Sequence, residues 1–142
     1  MIVLDANVLI SAVDRDAPRH SAAVSWMQRQ AAAGEILGIP WACLLALVRI
    51  CTLPSILARP LGIDQALDAV ERLLGNAEVL RLLPDGPEHY PAFSRLLRQA
   101  GVGGNLTNDA LVAAIALAHG GRVASFDRDF ARFDGIQVIV PN

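Results

Sequence analysis

The chain alternates along its whole length between short, mostly apolar runs and longer segments with helical spacing. The short runs are Met1–Leu4, Ile36–Ile39, Val79–Leu82, Arg122–Ser125 and Gln137–Val140. A brief run with no regular polar alternation reads as a strand covered on both faces, as in a parallel sheet. Between these runs, Val8–Val13, Arg19–Ala33, Ala42–Thr52, Asp64–Leu74, Glu88–Ala100 and Thr107–His119 carry apolar residues at helical intervals. Asp64 and Thr107 are expected N-caps. Gly34, Gly75 and Gly120 are expected helix stops, and Pro54 ends the third helix. Strand and helix in alternation predict an α/β protein with a central parallel sheet of about five strands and helices on both faces. The 142 residues suffice for one domain, 1–142, with no repeat or linker to divide it.

Composition excludes several classes. The chain is 54% hydrophobic but only 5% aromatic, which fits a packed aliphatic core and argues against disorder. All twelve basic residues are Arg, which we read as codon bias. With a net charge of −2 there is no global basic field for nucleic acid, so such a partner would need a local arginine patch or metal ions. Cys43 and Cys51 share one helical segment, where eight residues separate their backbones by about 12 Å, beyond the roughly 7 Å a disulfide tolerates. Two free thiols fit a reducing compartment. No basic segment and long apolar run open the chain as in a secretory signal, and the run Trp41–Val48 is too short to span a bilayer. The expected location is the cytoplasm.

In an open α/β sheet, chemistry gathers beyond the carboxyl ends of the strands. Asp5 follows the first strand, Asp127 and Asp129 follow the fourth, and Asp109 lies in the first turn of the helix leading into it. Each alone has an ordinary explanation, as a helix cap, a charge favourable to the helix dipole, or a turn residue. Those explanations do not account for all of them falling at one edge. Clustered carboxylates repel and raise one another's pKa unless a cation neutralises them, and hard oxygen ligands suit Mg²⁺ or Mn²⁺. Such an ion activates water and stabilises displacement at phosphorus. Other catalytic kits are missing. His20, His89 and His119 lack zinc spacing, no Gly-x-Ser-x-Gly elbow is present, and the glycines at 101, 103 and 104 precede no Lys-Ser/Thr. The chain has no lysine and no Asp-x-Asp-x-Thr, which counts against a phosphotransfer or receiver domain.

Three segments carry a resemblance to a known family. Met1-Ile2-Val3-Leu4-Asp5-Ala6-Asn7-Val8-Leu9 resembles the opening of PIN-domain nucleases, Gly104-Asn105-Leu106-Thr107-Asn108-Asp109-Ala110 their third acidic motif, and Ser125-Phe126-Asp127-Arg128-Asp129-Phe130 their closing motif. Order, spacing and length resemble the VapC toxins of VapBC toxin–antitoxin systems. The resemblance implies a PIN-like, Rossmann-like three-layer fold and a Mg²⁺- or Mn²⁺-dependent RNA endonuclease. It implies Asp5 and Asp109 as metal ligands, Asp127 completing the acidic cluster through water, and Asn7 and Thr107 orienting carboxylates or water. Asp129 and Arg49 are further candidates.

The resemblance also implies RNA as substrate, a VapB-type antitoxin as partner and assembly as a homodimer, with the weakly charged helix Ala42–Thr52 lining an antitoxin groove, lining a homodimer interface, or simply buried. One departure stands out. The family carries an acid three positions before an arginine on the third helix, where this chain has Ala46 before Arg49, and no acid lies between Glu35 and Asp64. Either the site works with three carboxylates or the chain is a weakened or non-catalytic binding module.

Overall fold

The computed structural model describes residues 1–142. Five strands form one sheet: β1 (Ile2–Leu4), β2 (Leu37–Pro40), β3 (Leu80–Leu83), β4 (Arg122–Ala124) and β5 (Gln137–Ile139). Six helices join them: α1 (Ala6–Val13), α2 (His20–Ala32), α3 (Trp41–Cys51), α4 (Ile63–Leu74), α5 (Tyr90–Ala100) and α6 (Leu106–Ala118). The strand order is β3-β2-β1-β4-β5 and every pairing is parallel. The chain thus steps outward from β1 to β3, then crosses back to lay β4 on the other side of β1. Helices α1 to α4 pack among themselves, while α5 packs on α6 and α6 on β1 and β4. Right-handed crossovers put these groups on opposite faces of the sheet. Ile2, Val3 and Leu4 are buried together, as expected for a central strand covered on both sides.

The core is one cluster of 28 buried residues. Its tightest seam is α6, where Ala110, Ala113, Ala114 and Ala116 are almost wholly buried; small side chains let the helix lie close on the sheet. At the amino end of the sheet, Arg122 grips Glu35 with two hydrogen bonds of 3.0 and 2.8 Å. This ties the start of β4 to the residues before β2, across the start of β1 between them. The guanidinium beside Glu35 holds its carboxyl below the usual range.

Several expected boundaries move. Asp64 is not a cap: α4 begins at Ile63 after Gly62, whose backbone N–H donates to Gln65 Oε1 at 2.9 Å. Thr107 is not a cap either, because α6 already begins at Leu106. The first turn expected in Glu88–Ala100 is a separate 3₁₀ turn, Pro87–His89. Helix α3 buries Cys43, Leu44, Leu47 and Cys51 but leaves Trp41 and Leu45 exposed, so it is not buried all round. Both cysteines are free and buried.

One backbone position has no room to vary. Gly121, which precedes β4, has φ +75°, and a Cβ there would lie 2.4 Å from the Gly135 carbonyl oxygen. Gly121→Ala is expected to cost about 2 kcal/mol or more, from left-handed strain plus the displaced backbone. Urea unfolding should show a lower midpoint with an unchanged slope.

Candidate functional site

The parallel register pairs Leu4 with Ala124, so the residues that follow, Asp5 and Ser125, emerge side by side at the carboxyl ends of β1 and β4. This is where the strand order reverses, the place at which open α/β sheets leave a crevice. Asp5 is held on both oxygens. Its Oδ1 accepts the Ala6 N–H at 2.7 Å, capping α1, and its Oδ2 accepts the Ser125 hydroxyl at 2.7 Å. Ser125 is fully buried, and its Oγ in turn accepts from Asn7 Nδ2 and from the Asp127 backbone N–H, each at 2.9 Å. Asn7 Oδ1 accepts the Phe126 N–H at 3.2 Å. Ser125 therefore joins Asp5, Asn7 and the loop after β4 through one atom.

Asp127 lies three residues beyond the observed end of β4 rather than ending the strand. It caps the 3₁₀ turn Arg128–Arg132, accepting the Asp129 N–H at 2.8 Å. Fully buried Phe130 anchors that turn against Phe133. Arg19 lies over the Phe126 ring, 4.6 Å from its centre, and reaches the Phe126 carbonyl.

Asp5, Asn7, Asp109 and Asp127 face one cleft of about 580 Å³, together with Asn105 and Asn108 from the start of α6 and with Ala42, Cys43, Leu45, Ala46 and Arg49 from α3. Thr107 and Asp129 do not line it. Ala46 faces the cleft, so no acidic side chain enters it from α3.

Burial pushes the Asp5 carboxyl up, against the lowering effect of its hydrogen bonds from Ser125 and Ala6; nearby Asp127 adds to the rise. Burial pushes Asp109 up to about 6, helped by the charges of Asp5, Asp127 and Asp129. No three acidic, His or Cys side chains converge into a ready-made cage. The donors available are carboxylate and amide oxygens in an open cleft. Such a set fits Mg²⁺ or Mn²⁺ held by one or two carboxylates with water completing the shell, and fits poorly with zinc, which favours His and thiolate.

The sequence marks Ser125 only by its place two residues before Asp127, and Asn105 and Asn108 only by their place beside Asp109 in the motif Gly104–Ala110. Nothing in the sequence marks Asp85, whose Oδ2 accepts the Ala42 N–H at 2.6 Å, capping α3 from the loop after β3. No local pattern links residues 85 and 42.

A family profile described as PIN domain matches residues 2–136. The chain belongs to the PIN domain family. Among characterised relatives, it is 34% identical over 137 residues to Ribonuclease VapC37 of Mycobacterium tuberculosis, covering 96% of this chain and 94% of that one. It is 36% identical over 141 residues to Ribonuclease VapC31 of the same species, covering 99% of each. Its fold is similar to that in the crystal structure of VapBC2 from Rickettsia felis bound to a DNA fragment from their promoter, with TM-score 0.74, 18% identity and full coverage of both chains. It is also similar to Mycobacterium tuberculosis VapC20, a Sarcin-Ricin loop cleaving toxin, with TM-score 0.69, 18% identity and coverage of 96% and 98%.

The raised carboxyls give a pH prediction for metal-free protein. A folded-state pKa above the unfolded value means the fold holds the proton more tightly, so stability falls as pH rises from about 4 through about 6. Asp109→Asn should remove Asp109's share of that fall. At pH 7.5 in chelator, the variant should gain about 1 kcal/mol after allowance for solvent screening, or about 3 °C in Tm by calorimetry. An unchanged or lower Tm would mean that Asp109 bears no such burden.

Proposed function

We propose that this chain is a divalent-metal-dependent endoribonuclease and the toxin half of a toxin–antitoxin pair. The observation that carries the reading is the meeting of Asp5, Asp109 and Asp127 in one cleft at the reversal of strand order, with two of the three carboxyls pushed upward. The cleft's oxygen donors and the identity to VapC ribonucleases support the same reading. In it, Asp5 and Asp109 hold Mg²⁺ or Mn²⁺, and Asp127 completes the acidic set. A metal bound there supplies an activated water and neutralises charge developing at phosphorus.

The chain's own residues do the rest. The Ala6 N–H and the Ser125 hydroxyl each occupy one lone pair on an Asp5 oxygen, which fixes the carboxylate and leaves a second lone pair on each oxygen for a ligand. Asn7 keeps Ser125 turned toward Asp5 by donating to its Oγ. Asp109 gives up its proton when a cation arrives, so metal affinity should climb as pH rises through about 6.

The partner is an antitoxin of the VapB kind, as in the VapBC assemblies of similar fold. The location is the cytoplasm, in keeping with two free buried thiols; no helix is long and apolar enough to cross a membrane. A second reading, a PIN fold that binds RNA without cutting it, is favoured by the neutral Ala46 at the cleft wall.

Purified, antitoxin-free protein incubated with total RNA separates the two readings. Cleavage should occur with Mg²⁺ or Mn²⁺ and stop in chelator. Asp5→Asn should lower the rate by at least about a hundredfold while the protein stays folded by circular dichroism, the scale expected for loss of a group acting on developing charge. RNA binding without cleavage at any metal concentration would favour the binding module.

Ala46→Glu tests whether three carboxylates are the working number. It should bring a fourth carboxylate into the cleft, destabilise metal-free protein by repulsion, and enlarge the rise in Tm on adding Mn²⁺. An Mn²⁺ response no larger than the parent's would show that position 46 does not reach the ion.

A further inference from the structure

Helix α3 presents a stripe that the acidic cluster does not explain. Trp41, Leu45 and Arg49 are spaced four residues apart, so they stand one above another on one helix face. Trp41 is 46% exposed, Leu45 51% exposed, and Arg49 is exposed as well. On the opposite side of the helix, Cys43, Leu44, Leu47 and Cys51 are buried. Packing within the chain therefore does not require an aromatic and an aliphatic residue at 41 and 45.

Leu45 and Arg49 line the same cleft as Asp5, Asp109 and Asp127, and Arg49 is the only cation among the cleft's lining residues. The Arg49 guanidinium takes part in none of the chain's ion pairs, whereas Arg59 pairs with Asp16 and Arg122 with Glu35. A cation in a cleft with three carboxylates, yet pairing with none of them, is placed for an anion that comes from outside.

We infer that the α3 stripe, with Arg49 and Leu45 in the cleft wall and Trp41 one turn before Leu45 outside the lining, grips single-stranded RNA beside the scissile bond, with Arg49 on a backbone phosphate and a base lying on Trp41 and Leu45. The inference rests on the ribonuclease reading above and adds the residues that hold the substrate. Three features fix this occupant. The stripe runs about 12 Å along the helix, longer than one phosphate needs. An exposed aromatic plane and an unpaired guanidinium on one helix face, two turns apart, supply the stacking surface and the charge by which proteins hold unstacked bases and their backbone. The carboxylates leave the cleft negative, so an RNA strand needs a local cation to approach it, and Arg49 supplies that charge next to the ligands.

The test uses Asp5→Asn protein as a non-cutting parent and a fluorescein-labelled, unstructured RNA of about twelve nucleotides, followed by anisotropy in Mg²⁺ across a salt series. Arg49→Gln should weaken binding and lower the slope of log K against log salt by about 0.7, the value for one phosphate contact on a single strand. Trp41→Ala should weaken binding about tenfold, and Trp41→Phe should keep most of the affinity. Tryptophan emission should be quenched by RNA in the parent and not in Trp41→Phe, since Trp26 is only 3% exposed. Arg29→Gln, in the last turn of α2, should change neither slope nor affinity.

Parent-like binding by Arg49→Gln and Trp41→Ala would overturn the inference, as would a Trp41→Ala variant that loses self-association in sedimentation but binds RNA unchanged; the stripe would then join two copies of the chain. These outcomes are distinct from failure of the ribonuclease reading. If wild-type protein cuts no RNA and the Asp5→Asn parent binds none, that reading falls and this inference falls with it. If wild type cuts RNA and the stripe variants bind like the parent, the inference alone is wrong.

Discussion

The site hangs on the pairing of β1 with β4. These strands are neighbours in the sheet although the Ser125–Asp5 hydrogen bond between their ends spans 120 residues of sequence. The pairing is central and buried on both faces, so a register slip would move apolar side chains out of the core and be resisted by the whole sheet. The register that remains sets Ser125 beside Asp5, and from that one contact follow the orientation of Asp5, the seating of Asn7 and the start of the loop carrying Asp127. Strands and helices hold this arrangement more rigidly than a loop alone could.

The same geometry burdens the fold. Asp5 is 8% exposed and Asp109 half-buried, each near other acids, and both carboxyls are pushed upward. Carboxyls placed at such cost in a cleft suit a cation that the folded chain recognises and the unfolded chain does not. The opposite end of the sheet carries a compensating device, the two-bonded Arg122–Glu35 clamp, whose acid is held low instead of high. One edge is thus electrostatically strained and the other satisfied, which is the distribution expected when strain is kept at the working end.

Helix α3 shows how one element serves two faces. Its inner residues build the core, and its amino end is capped from elsewhere in the chain by Asp85 rather than by the preceding Pro40, which has no side-chain donor or acceptor. Its outer residues Trp41 and Leu45 stay outside the core. With Ala46 in the cleft wall, the helix contributes no negative charge there, and the site's acids come only from the end of β1, the loop after β4 and the first turn of α6.

The amino-acid sequence by itself determined the α/β class, the five strands and six helices to within a residue or two, and the carboxylates at the strand ends, because hydrophobic period and strand-end position are local properties of the chain. It also determined the absence of an acid on α3. It did not identify what caps α4 and α6, since Asp64 and Thr107 are good caps by type and the Gly62–Gln65 bond and the turn before Leu106 pre-empt them. Only the tertiary structure decided the strand order, which of the polar residues share a cleft, and that the Ser125 hydroxyl donates to the first acid. Those outcomes depend on contacts between residues from tens to more than a hundred positions apart, and such contacts are fixed by how the layers pack, not by any pattern a short window of sequence can carry.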